Sequence, residues 1–196
     1  MSKKPSHPSD DAERLRRHRE ARGIKKLKLQ DLSKQTPDTS DALSYFAVVH
    51  GESDRGAVIM GSALLEYALT RAIRWGAGNP PDDLIKNWFE GPTAPFGTFA
   101  AKIQLGRVLL IYGDEMASRL ALIKDIRNAF SHSIIPLDLG NPAVEEACDR
   151  LPRFKPIVRV KRNRRLIFLS ACIGMARNLE SYVLEIGAEP RTPRYP

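Results

Sequence analysis

The chain has 196 residues, 42% of them hydrophobic and 28% charged, a net charge of +8 and two cysteines. That length suits one domain of about 150 residues plus a tail, and two cysteines exclude a disulfide-stapled scaffold, so Cys148 and Cys172 read as reduced core thiols. No apolar run approaches the roughly 18 residues that span a bilayer, and the opening Met-Ser-Lys-Lys-Pro-Ser-His lacks a secretory apolar segment, so the expectation is a cytoplasmic protein without membrane contact.

Residues 1–39 read as a basic, flexible N-terminal tail. Residues 1–40 hold eleven Lys or Arg against six Asp or Glu, while residues 41–196 hold twenty against seventeen. Leu15, Ile24, Leu27, Leu29 and Leu32 are too few to bury a helix face well, so either disorder or a partner-induced helix fits this stretch. The globular part is expected over 40–187, opening with a short helix from Ser40 to His50. Ser53 is placed to cap a long helix ending near Trp75, with Val58, Ser62, Leu65, Leu69 and Ile73 on its core stripe and Glu66 at the border. A carboxylate there needs a cation or donor nearby.

Gly76-Ala-Gly-Asn-Pro-Pro81 ends that helix, and a short one follows to Phe89 with Asp82 and Asp83 in its first turn. After the backbone-restricting Gly91–Gly97 loop, Thr98 can cap a helix with the stripe Phe99, Ile103 and Leu110 and a stop at Gly113. The next helix is expected over 114–133, its core stripe being Leu120, Ile123, Ile126, Phe130 and Ile134, until Pro136 breaks it. Asn141-Pro142 opens a short helix to Leu151. A last long helix over 163–186 should bury Leu166, Leu169, Ile173, Ala176, Leu179 and Val183. Ile157–Val160 is the only strand-like segment, and 188–196 reads as a C-terminal tail. The expected fold is all-α, a single bundle of about seven helices.

The chemistry-bearing candidates gather on the helix over 114–133, which carries Arg127, Asn128 and His132. At about 100° per residue, Asn128 and His132 share a face, whereas Arg127 and His132 lie roughly 140° apart. A second element or a second subunit would have to complete any site that uses both. Two readings stand. In one, Arg127 pairs with Glu66 or another carboxylate, and Asn128 and His132 brace neighbouring helices. In the other, Arg127 stabilises a phosphate and His132 moves a proton in metal-independent RNA cleavage by the 2′-hydroxyl.

Metal-ligand spacings, phosphate-cradling glycine loops and a hydrolase elbow around Ser131 are missing, so no metal or cofactor is expected. Trp75 and Trp88 read as packing residues at helix ends. Lys155–Arg165 holds six cations in eleven residues. Its Arg159, Lys161, Arg162, Arg164 and Arg165, with Arg16, Arg17, Lys25 and Lys26 of the tail, are the candidates for contacting nucleic acid through phosphate.

Three ordered segments carry a resemblance. Asp54-Arg-Gly-Ala-Val-Ile59 with Leu64-Leu-Glu-Tyr-Ala-Leu69, then Phe89-Glu-Gly with Pro95-Phe-Gly-Thr-Phe-Ala-Ala-Lys-Ile103, then Ile126-Arg-Asn-Ala-Phe-Ser-His132, together resemble the mannitol operon repressor (MltR) family over about residues 41–187. The Arg-Asn-x3-His pattern also resembles the broader HEPN superfamily, which includes metal-independent ribonucleases and inactive regulatory versions. The resemblance implies a helical bacterial regulator that lowers transcription of a sugar-alcohol uptake operon. It supplies no DNA-reading element, so a protein partner or basic segments on the phosphate backbone would carry the effect. It places Glu66, Arg127, Asn128 and His132 in the shared pattern. A homodimer is expected on general grounds.

Overall fold

A computed structural model describes Val49, residues 51–154 and residues 163–187, all within the second of the two units into which the chain divides, 38–196. The described residues form six α-helices and no strand: α1 (Asp54–Gly76), α2 (Asp82–Phe89), α3 (Phe99–Val108), α4 (Asp114–His132), α5 (Pro142–Asp149) and α6 (Arg164–Gly187). The protein is all-α. The expected helix over 40–50, the strand-like Ile157–Val160 and both tails lie outside the described residues, apart from Val49, which is helical and buried.

Helix starts follow their capping residues. Ser53, Thr98 and Asn141 each accept a hydrogen bond from a first-turn backbone N–H, at 3.1 Å in all three cases. The end of α1 follows from glycine. Gly78 takes φ +85, which lets Gly78 N–H reach Trp75 O and Asn79 N–H reach Arg74 O, the paired bonds of a Schellman stop.

The same motif closes α3 on a residue less suited to it. Leu110 adopts φ +56 while its N–H reaches Arg107 O and Ile111 N–H reaches Gly106 O. This corrects two expectations. The helix ends at Val108, and Leu110 leaves the core stripe to stand 85% exposed, while Ile111 turns inward against Gly76. Ile134 is likewise corrected: Ser133 is extended, as suits a chain about to meet Pro136, so Ile134 drops out of helical register and is fully exposed.

The core is built around α1 and α6, whose seam is the most extensive among the described helices. Arg165 at the start of α6 meets Asp54 at the start of α1, Arg71 lies 3.5 Å from Glu180, and Gly187 packs on Trp75. The two helices therefore run parallel. Arg55 at the start of α1 donates to Ser133 O just past α4, so α4 runs against them. Gly61 lets Leu169 and Phe168 approach the α1 backbone closely; a Cβ there would lie 3.0 Å from Leu169 Cδ2. All six positions expected to be buried on α6 are buried, as are Leu120, Ile123, Ile126 and Phe130 of α4. Among the described residues, α1 is the one helix long and apolar enough to cross a membrane, and over half of that stretch is buried inside the bundle.

Cys148 and Cys172 are free and buried. Burial pushes the Cys148 thiol up to about 11 and raises that of Cys172 as well. Since the thiolate is the reactive form, neither should react with an aromatic disulfide reagent at pH 8 in the native protein. Both should titrate once the chain is unfolded. Rapid reaction of the folded protein would place one of them at the surface.

Candidate functional site

The first two resembling segments meet at one ion pair. Glu66 projects from the middle of α1, and Lys102, in the first turn of α3, reaches its Oε1 at 2.7 Å. Both side chains are largely shielded, at 20% and 11% exposure. Lys102 Nζ also sits 5.8 Å from the centre of the Phe89 ring, within cation–π range. Phe89, Trp88 and Phe96 pack edge-on or tilted with centroids 6.0–6.4 Å apart, so the Gly91–Gly97 loop folds back on the end of α2. Trp88, like Trp75, is half-buried in this packing.

Glu66 thus has the cation that its position demanded, but the cation is not Arg127. The correction has a local cause: α3 lies against the Glu66 face of α1 and inserts Lys102 first. Arg127 is half-buried and donates to Asn128 Oδ1 at 3.2 Å. His132 closes α4 as an exposed residue, and its side chain has no hydrogen bond or ion pair among the described residues. Arg127 and His132 stand on different faces of one helix, as the residue count required, and no direct bond joins them.

The structure brings a guanidinium to the end of α4, just past His132. Arg55, from the first turn of α1, donates from Nη2 to Ser133 O at 2.9 Å, one residue beyond the histidine. It is exposed and has no carboxylate partner among the described residues. Beside it, an open depression of about 560 Å³ runs between the start of α1 and the segment from Ile134 to Asp138. Sequence spacing could not reveal this neighbour, because 78 residues separate Arg55 from Ser133.

Of the basic candidates, Arg164 and Arg165 are described, and both are committed internally. Arg164 pairs with Asp149 and Glu145. Its hydrogen bond, with a second from Arg153, holds the exposed Asp149 carboxyl below the usual aspartate range. Arg165 donates from Nε to Asp54 Oδ1 at 2.9 Å and from Nη1 to Glu52 O at 2.8 Å. Asp54 Oδ2 accepts in turn from Leu139 N–H at 2.9 Å. One carboxylate therefore ties together the starts of α1 and α6 and the connection before α5. Arg159, Lys161, Arg162, Arg16, Arg17, Lys25 and Lys26 lie outside the described residues.

Among the described residues, no group of three or more His, Cys, Asp or Glu side chains is placed to hold a metal ion. No family model, curated protein or solved structure matches the chain.

Proposed function

We propose that this protein is a helical transcriptional regulator of the mannitol operon repressor type, working in the cytoplasm by binding rather than by catalysis. The observation that supports this reading is where the polar residues of the resembling segments are spent. Glu66 is held by Lys102, Asp54 by Arg165, and Arg127 turns to Asn128. Such internal pairs serve architecture, whereas Ile134 and Ile135 stand exposed. On this reading nucleic acid is met through phosphate, a protein partner or second copy through the apolar patch.

Titration of a labelled operator-length duplex at low and moderate salt tests the proposal. Binding should weaken steeply with salt, as expected when Lys and Arg displace counterions. Replacing Arg159, Lys161 and Arg162 together by glutamine should weaken it further. Arg164→Gln should leave affinity nearly unchanged, since that guanidinium already serves Asp149. No binding to any nucleic acid, with unchanged transcription in cells lacking the protein, would reject the regulatory reading.

One observation favours a second reading, a HEPN-type metal-independent ribonuclease. His132 is exposed and unbonded among the described residues, and Glu66 does not consume Arg127. Here His132 would move the proton, with Arg127 and Asn128 completing the site across two subunits. Cleavage of single-stranded RNA in EDTA that disappears in His132→Ala would establish it. Equal, null results from both folded proteins would remove it.

A further inference from the structure

The polar face of α6 follows its own repeat. Ser170, Gly174, Arg177, Asn178 and Ser181 fall at steps of four, three, one and three residues, a continuous stripe on the helix side away from the core. Phe154 lies across its middle. A Cβ built on Gly174 would sit 2.5 Å from both Cδ atoms of the Phe154 ring and closer still to Cγ. Equal distances to the two Cδ atoms mean that the ring lies flat on the helix, which only glycine permits there. One face of the ring is spent on Gly174, and the half-buried residue also packs against the hydrophobic core while keeping part of its surface exposed to the groove.

The ring forms part of the wall of a groove of about 380 Å³. Among the described residues, Arg177 is the one charged residue lining it, and it has no ion pair there. Asn178 and Ser181 line it too, with side chains that have no hydrogen-bond partner among the described residues. The run of six cations in eleven residues begins at Lys155, the residue after Phe154.

We infer that this groove binds single-stranded nucleic acid, one base stacking on Phe154 and the adjoining phosphate meeting Arg177. The inference rests on the nucleic-acid-binding part of the proposed function and adds a single-stranded ligand, at a site separate from the basic segments that would meet duplex phosphate. An aromatic ring, a guanidinium and hydroxyl and amide groups are the elements by which proteins hold unpaired bases and their backbone. A duplex keeps its bases stacked on each other and cannot offer one to a ring lying flat on a helix. The groove has room for a single nucleotide, not for a helical stem.

Fluorescence anisotropy with a labelled, mixed-sequence RNA of about 12 nucleotides, against duplex DNA of equal length, provides the test. Single strand should bind more tightly than duplex. Arg177→Gln and Phe154→Leu should each weaken RNA binding about tenfold, and Phe154→Tyr should restore it. Leucine keeps an apolar cover on Gly174, and thermal melting checks that the fold persists. Should Phe154→Leu fail to fold, the surface change Arg177→Gln decides alone. Wild-type RNA binding that neither variant alters would overturn the groove and leave the binding reading standing. Preference for duplex, or displacement of RNA by polyglutamate as readily as by unlabelled RNA, would also overturn it. No binding to either nucleic acid would reject the groove together with any nucleic-acid role.

Discussion

Phe130→Ala should lower the unfolding free energy by about 3–5 kcal/mol, the range for truncating a fully buried aromatic side chain. Phe130 has no exposed surface and is among the largest fully buried side chains. It anchors the last turn of α4, so the ring also fixes the helix that carries Arg127, Asn128 and His132. For a domain whose total stability is about 5–15 kcal/mol, the loss is a large fraction. Urea denaturation should show a lower midpoint with an unchanged slope, the mark of altered stability rather than an altered unfolded state. A shift worth under about 1 kcal/mol would mean that the ring is not part of the packed core.

Lys102→Ala should lower stability by about 2–3 kcal/mol. Removing one partner of a fully buried pair costs about 3–5 kcal/mol, and the partial exposure of Glu66 lets water recover some of that loss. The stranded carboxylate, rather than the lost attraction, causes most of the damage. The double variant Glu66→Leu, Lys102→Met should therefore regain most of the stability, because apolar residues of similar volume often replace such pairs without penalty. A thermal-melt cycle over the wild type, both singles and the double separates these contributions. If the double were as unstable as the singles combined, the pair would have to act through precise geometry instead of charge compensation.

The two substitutions also mark how far the sequence could be read. The burial of Phe130 and of the whole α6 stripe was legible, because periodic apolar residues leave a helix no other face to turn inward. The caps at Ser53 and Thr98 were equally legible, since each is a local contact between a hydroxyl and a backbone N–H three residues on. What periodicity could not foresee was where a helix stops. Leu110 and Ile134 continue their stripes by count, yet a left-handed residue in one case and an extended residue before Pro136 in the other end the register.

The candidate site was legible by residue type and much less by pairing. The demand of Glu66 for a cation follows from its position beside an apolar stripe. The choice of Lys102 depends on how α3 lies against α1, which no spacing encodes. Arg55 beside Ser133 and Phe154 flat on Gly174 were missed for the same reason: each contact joins segments distant in the chain. Gly174 offered the one available signal, a glycine inside a long helix, where it costs about 1 kcal/mol relative to alanine and so implies a close neighbour.

The parallel seam of α1 and α6 bears on how the chain folds. These helices begin 110 residues apart, at Asp54 and Arg164, and their seam is the most extensive among the described helices. Everything between them must be threaded before that surface can form. Loop closure over such a span is an entropic barrier that comes before any reward in burial. During synthesis, α3 and α4 can cover part of α1, but the side that packs on α6 stays uncovered until residues beyond 164 have left the ribosome. Folding should then be slow for a helical protein and strongly cooperative. A nascent chain stalled before residue 164 should be more sensitive to protease in α1 than the full-length chain.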